Sequence, residues 1–70
     1  MSGYVVIYEQ AEDGGWGAYL PDLPGVVALG QSRAEAGERI QEALAAYAED
    51  LRERGATLPA PHHTAGTVAA

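Results

Sequence analysis

The sequence predicts an α+β fold in which a three-stranded antiparallel sheet is covered on one face by a single helix. Short β-branched and aromatic runs, separated by glycine and proline turns, fill residues 4–30 and are typical of strands. A capped segment with apolar residues at spacings of three and four follows them, which indicates an amphipathic helix. The 70 residues include no cysteine, so no disulfide can stabilise so small a domain, and we expect oligomerisation to do so.

The first two strands are predicted to form a hairpin. The first strand is expected at Tyr4–Tyr8, whose residues are β-branched or aromatic throughout. The dipeptide Asp13-Gly14 suits a two-residue type I′ turn, because both central residues of that turn need a positive φ. This turn would pair Ile7 with Leu20 across the hairpin.

That register predicts an apolar face on the side of the sheet away from the helix. A patch of this kind is too apolar for water, and tyrosine is common where proteins contact each other. We therefore expect an interface with a second copy or with a partner protein. Its expected residues are Tyr4, Val6, Tyr8 and Tyr19, with Trp16 near the edge.

A rigid corner follows the second strand, made of Pro21, Asp22, Leu23, Pro24 and Gly25. Each proline fixes its own φ and restricts the residue before it, while Gly25 is suited to a positive φ. Asp22 could act as a general base, but an aspartate in a turn more often accepts a hydrogen bond from a turn amide. The third strand is predicted at residues 26–29 and ends at Gly30.

The helix is predicted to begin at Arg33, directly after a capping box formed by Ser32 and Glu35. Its glutamates fall away from the apolar stripe and are expected to form a solvated face. Gly55 is placed to end the helix as a C′ residue. The apolar stripe comprises Ala36, Ile40, Ala43, Leu44, Tyr47, Ala48 and Leu51.

The C-terminal residues 62–70 leave two alternatives open, a short edge strand at Thr67-Val68 or a disordered tail. His62 and His63 are adjacent on an extended segment, so their side chains are expected to point to opposite sides. We therefore expect two exposed histidines that share no metal ion. No residue pattern predicts a cofactor.

The charge balance favours a basic protein partner. Ten acidic and four basic side chains give a net charge of −6, which repels phosphate backbones and argues against DNA or RNA binding by this domain. No apolar run approaches the ~20 residues of a membrane span, and the N-terminus lacks the pattern of a signal peptide. We expect a cytoplasmic protein.

Several motifs in this order resemble the HicB family of antitoxins from type II toxin–antitoxin systems. They are the Asp-Gly-Gly-Trp turn, the segment Ala-Tyr-Leu-Pro-Asp-Leu-Pro-Gly, Gly-x-Ser before Ala-Glu-Ala, and a closing Leu-Pro-x-Pro. The resemblance covers about residues 4–61, and it implies a partial ribonuclease H-like fold in residues 1–61, followed by a tail at 62–70. It also implies a protein that covers a small, basic, mRNA-cleaving toxin of the HicA type.

This chain differs from the family pattern in ways that affect the expected function. Val26 stands where many members have cysteine, and Ser32 where many have threonine, but both changes are structurally mild and the missing module described next matters more. Full antitoxins of the family add a C-terminal DNA-binding module, and nothing after Pro61 can be that module. Ribonuclease H-like chemistry needs carboxylates on central strands, and the predicted first strand has none, so we expect no enzyme activity. The alternative function is a solitary, self-assembling domain with a structural or ligand-binding role and no toxin.

Overall fold

The computed structural model describes residues 3–70 and contains the predicted α+β arrangement. Its elements are β1 (Ile7–Gln10), β2 (Trp16–Leu20), β3 (Leu23–Gly30) and α1 (Arg33–Glu53). Each strand is antiparallel to the next, and the sheet order is β1-β2-β3. The helix begins at the predicted residue, whereas β1 begins later and β3 begins earlier than predicted. Met1 and Ser2, which begin the N-terminus without a predicted signal peptide, lie outside the described residues.

The hairpin between β1 and β2 has a register one residue away from the predicted one. The amide of Ala11 donates to the carbonyl of Gly15 at 2.8 Å, and the amide of Gly14 donates to the carbonyl of Ala11 at 3.0 Å. Gly14 has a φ of 93°, so residues 12–14 form a type I turn followed by a left-handed glycine rather than a two-residue turn. As a result Ile7 pairs with Tyr19, and the predicted pairing of Ile7 with Leu20 is wrong.

The register change reverses the two faces of the first strand, because successive side chains of a strand point to opposite sides. Tyr4, Val6 and Tyr8 pack against the hydrophobic core on the helix side, and so does Trp16. The predicted position of Tyr4, Val6 and Tyr8 on the outer face is therefore wrong, whereas Tyr19 lies on that face as expected. The outer face is formed instead by Ile7, Tyr19, Val27 and Leu29, which lie opposite one another or on the same side of neighbouring strands.

The core lies between the sheet and the helix. Ala36 and Ile40 are buried one turn apart on α1, as the apolar stripe predicted. Complete burial of a side chain such as Leu20 or Ile40 is worth about 1.5–3 kcal/mol, so a few contacts supply much of the stability of this small domain. The buried core residues are Ala18, Leu20, Leu23, Val26, Ala36 and Ile40.

The helix ends are capped largely as predicted. The Ser32 hydroxyl accepts a hydrogen bond from the Glu35 amide at 3.1 Å. The Glu35 carboxylate reaches back to the amide of Gln31 at 2.7 Å, one residue before the predicted one. At the other end, Gly55 follows the helix with a φ of 75°, which satisfies the role of a C′ glycine.

The corner between β2 and β3 is tighter than predicted. Leu20 pairs with Leu23, with an irregularity in the register between Tyr19 and Leu20, so that β3 already includes Pro24 and Gly25. Gly25 is not among the residues with positive φ in the described chain, and the predicted left-handed conformation at this position is therefore wrong. Because β3 starts at Leu23, the motif residues span both the turn and the strand.

Residues 56–70 contain no helix or strand, so the alternative of a C-terminal edge strand is not found. The Tyr4 hydroxyl donates to the carbonyl of Pro59, and Leu58 packs against the core. These contacts fix the beginning of the segment beside the first strand. Within residues 3–70, no helix has the length and apolarity needed to cross a membrane.

Candidate functional site

The outer face of the sheet is an exposed apolar surface. Val27 and Leu29 project from β3 with 62% and 75% of their surfaces exposed, and Tyr19 projects beside Val27 from β2. Gly17 lies opposite Leu29 and carries no side chain, so the surface has a shallow depression between the strands. Contiguous apolar surface of this kind is typical of contact sites between proteins.

Carboxylates flank the outer face on two sides. Glu9 lies on β1 two residues from Ile7, so it projects from the same face. Glu42 of α1 borders a shallow hollow that also includes Val27 and Leu29. Arg39 borders the same hollow, but its guanidinium donates to the Leu29 carbonyl at 3.3 Å and lies 3.7 Å from Glu35. The rim of the apolar face is therefore mainly acidic.

The other arginines are also engaged within the chain. Arg52 pairs with Glu49, and Arg54 pairs with Asp50 at 3.2 Å. The Arg33 guanidinium lies 4.1 Å from the centre of the Tyr8 ring, a cation–π contact. Among the described residues, several acidic side chains have no such partner. They are Glu9, Glu12, Asp13, Glu38, Glu42 and Glu53.

A second cluster lies at the corner between β2 and β3. Asp22 is buried there, and its side chain meets two residues from the C-terminal segment. The carboxylate oxygen Oδ2 accepts hydrogen bonds from the backbone amides of His62 at 3.3 Å and His63 at 3.4 Å. The other oxygen, Oδ1, lies 2.7 Å from Nδ1 of His62 and 2.6 Å from Nδ1 of His63.

The surroundings of Asp22 set its protonation. Burial acts to raise the pKa of the Asp22 carboxyl, but the hydrogen bonds from the His63 ring and from both amides, with the charge of His62, outweigh it. The pKa therefore lies below its ordinary value of 3.8. Asp22 is ionised near neutral pH, as a carboxylate that anchors amides and imidazoles should be.

The sequence predicted the residues of the corner but not the residues that contact Asp22. The Asp22 carboxylate does accept hydrogen bonds from backbone amides, but these amides belong to the C-terminal segment rather than to its own turn. The prediction that His62 and His63 point apart is wrong, because both Nδ1 atoms reach the same oxygen. The only signal in the sequence was an aspartate and a histidine pair about 40 residues apart, with nothing to bring them together. Glu9, which follows the predicted first strand at Tyr4–Tyr8, lies within β1 in the structure.

Together, the fold and these surfaces define a small α+β domain with an exposed apolar face and a mainly acidic rim. Comparison with known families agrees with this class. The model of the HicB-like antitoxin of bacterial toxin–antitoxin systems matches residues 4–70, so the chain belongs to that family. Membership supports an antitoxin role in a toxin–antitoxin system.

A relative supports the same assignment. The chain is 38% identical over 56 residues to UPF0150 protein Ta0767 of Thermoplasma acidophilum. The aligned part covers 80% of this chain and 81% of the relative, so the similarity extends over most of both proteins. No solved structure matches the chain significantly.

Proposed function

We propose that this chain binds and neutralises a small, basic, mRNA-cleaving toxin of the HicA type through protein contact. Membership of the HicB-like antitoxin family is the observation that carries the proposal. A protein of this kind acts by covering its partner, so we further propose that the chain has no catalytic activity of its own. The chain acts in the cytoplasm, where such a toxin encounters mRNA.

The charge distribution supports a basic partner. The chain has a net charge of −6, and its arginines are engaged in contacts with its own residues. The acidic side chains without ion pairs therefore make the electrostatic potential at the surface negative. Complementary potentials speed the encounter of two proteins and disfavour wrong partners, and the effect weakens as salt screens it.

The outer face supplies the centre of the proposed contact. Interfaces usually combine an apolar centre with a polar rim. Tyr19, Val27 and Leu29 form such a centre, and Glu9 and Glu42 lie at its rim. We propose that the toxin covers this face, with the carboxylates meeting its basic side chains.

The same observation favours a second candidate function, self-assembly without a toxin. An apolar face can be covered by a second copy as readily as by a partner, and small domains are often stabilised in this way. A homodimer formed through the outer face would leave it unavailable to a toxin. The two functions therefore predict different results when a candidate toxin is mixed with the purified chain.

A ribonuclease assay separates them. Any short basic protein encoded beside this chain's gene is purified and incubated with RNA, with and without the chain. We expect cleavage by that protein to stop when the chain reaches a stoichiometric amount, and the chain alone to leave RNA intact in magnesium or manganese. Sedimentation of the mixture should then show a complex of both proteins.

Two results would contradict the proposal. The first is undiminished RNA cleavage in the presence of excess chain, and the second is the absence of any such neighbouring protein. If the chain alone also sediments as a dimer under those conditions, the self-assembling function is the better account. Metal-dependent RNA cleavage by the chain itself, lost in Asp22→Asn, would show that it is an enzyme.

A further inference from the structure

The Asp22 corner brings together a set of atoms that the antitoxin role does not require. Asp22, His62 and His63 each offer one oxygen or nitrogen atom that could ligate a metal, and these three atoms lie within 4.8 Å of one another. Among residues 3–70 this is the one group of three histidine or acidic side chains arranged in this way. Its members come from the turn after β2 and from the C-terminal segment, 40 residues later.

Hydrogen bonding accounts for only part of this arrangement, because the ring of His63 is hydrogen-bonded to Asp22 whereas the ring of His62, at a similar distance, is not. The backbone amides of His62 and His63 already use Oδ2 of the carboxylate. Both imidazole nitrogens then approach the remaining oxygen, Oδ1, at 2.7 and 2.6 Å. Two imidazole nitrogens and a carboxylate oxygen are ligand atoms that zinc commonly binds.

We propose that Asp22, His62 and His63 form a zinc site that fastens the C-terminal segment to the corner between β2 and β3. Zinc accepts nitrogen and oxygen ligands in a tetrahedral arrangement, and sites with three protein ligands leave the fourth position to water. The set contains no thiolate, and its two imidazoles disfavour calcium and magnesium, which take oxygen ligands.

The geometry permits the ion with small movements. Zinc lies about 2.0–2.2 Å from nitrogen and oxygen ligands, so two ligands of a tetrahedral site are about 3.3 Å apart. Each Nδ1 atom must therefore move away from Oδ1 by about 0.6 Å. The side chains of His62 and His63 are 71% and 47% exposed and can make this movement, whereas that of Asp22 is fully enclosed.

The surroundings of the carboxylate suit a metal ligand. A ligating carboxylate is usually oriented by hydrogen bonds from outside the metal's own ligand shell. Here the amides of the two histidines orient Asp22 through Oδ2 and leave Oδ1 directed at the rings.

Zinc would change the C-terminal segment and leave the outer face untouched. Residues 56–70 have no helix or strand, so they depend on side-chain contacts to stay beside the sheet. An ion that binds only the folded arrangement stabilises it by an amount that grows with the logarithm of the ion concentration relative to the dissociation constant. This inference does not depend on the identity of the protein partner.

Titration of the purified chain with zinc chloride tests the proposal, with any polyhistidine tag removed because it would bind zinc itself. We expect one zinc ion per chain, a higher melting temperature, and a return to the original value when a chelator is added. NMR signals of both imidazole rings should shift together, and calcium chloride should produce neither effect.

Substitutions identify the ligands. His62→Gln and His63→Gln should each weaken zinc binding about tenfold or more, since loss even of an outer-shell partner costs 10–100-fold. Thr64→Gln is the matched control, because it places the same side chain at the next exposed position and should leave binding unchanged. These variants spare the buried Asp22, so they test the site without disturbing the corner.

Three results would overturn the proposal. They are an unchanged melting temperature in excess zinc, undiminished binding in both histidine variants, and one zinc ion for two chains with dimer formation. The last result would show that the ion bridges two molecules rather than fastening the segment of one. Each of these outcomes is independent of whether the chain inhibits a ribonuclease.

Discussion

The two faces of the sheet have similar apolar composition but different environments. On the inner face Ala18, Leu20 and Val26 are buried beneath the helix. On the outer face Val27 and Leu29 come from the same strand as Val26, yet most of their surface is exposed. A single helix can cover only one face, so apolar residues on one side stabilise the fold while those on the other remain available for contact.

The comparison shows that apolar residues in so short a chain have two separate roles. Inner-face substitutions should change the free energy of unfolding and leave partner contact intact in whatever protein remains folded. Outer-face substitutions should weaken partner contact and leave the free energy of unfolding nearly unchanged. The predictions below test this separation, beginning with the largest expected effect.

Truncation of the core should have the largest effect. Ile40→Ala removes a buried side chain and leaves a cavity, which should lower the free energy of unfolding by about 2–5 kcal/mol. Val27→Ala removes an exposed side chain and should cost less than about 1 kcal/mol. Chemical denaturation of both variants measures the difference, and equal losses would contradict the assignment of the two faces.

A smaller loss is expected at the junction between β3 and the helix. A Cβ atom at Gly30 would lie 2.6 Å from the amide nitrogen of Ala36, so Gly30→Ala must displace the helix. Overpacking of this kind costs about 1–3 kcal/mol. Gly66→Ala is the control, since a Cβ there meets no atom within 4 Å. Equal melting temperatures for the two variants would show that the helix does not lie this close to the sheet.

Removal of the helix cap should lower the free energy of unfolding by less than the substitution of Gly30. Ser32→Ala deletes the acceptor for the Glu35 amide and should destabilise the chain by about 1 kcal/mol. Ser32→Asp should retain stability, because a carboxylate can accept the same hydrogen bond and suits the helix dipole. Thermal melting distinguishes the two variants, and no loss in Ser32→Ala would place the helix start elsewhere.

The smallest change is expected at Asp22, and it should depend on pH. The pKa of Asp22 is lower in the folded chain than its ordinary value of 3.8, so its ionised form stabilises the fold. That contribution is complete above pH 3.8 and is lost as the pH falls through the lower pKa of the folded state.

Melting temperatures in the presence of a chelator can measure this dependence. Asp22→Asn should melt below the wild type near neutral pH, and the two should converge at acidic pH. The loss should be modest, because the asparagine oxygen still accepts one of the hydrogen bonds. A constant difference across this range would mean that the charge of Asp22 contributes nothing to stability.

The sequence predicted the elements of the fold better than their register. The helix could be placed to the residue because Ser32 and Glu35 mark its start and the apolar stripe extends from there. The hairpin was more difficult, because Asp13-Gly14 suits either a two-residue turn or a three-residue turn that ends in a left-handed glycine. That ambiguity of one residue exchanged the two faces of the first strand.

The candidate site was predicted in part for the same reasons. An apolar outer face was expected and exists, but the register determines that Ile7 rather than Tyr8 belongs to it. The contacts of Asp22 with His62 and His63 could not be predicted, since they join segments far apart in the chain with no secondary structure to guide them. Local propensity does not determine contacts of that kind.

The affinity of the toxin for an outer-face variant tests the central claim most directly. Val27→Glu combined with Leu29→Glu places two charges on the exposed face, and Ala65→Glu combined with Thr67→Glu adds the same charges to the C-terminal segment. Calorimetric titration with the toxin should show affinity about 100-fold lower for the first variant, since several lost interface contacts of 1 kcal/mol or more combine. The control should bind like the wild type, and all three proteins should melt at similar temperatures. Equal affinity for the outer-face variant and the control would contradict the claim that this face binds the toxin.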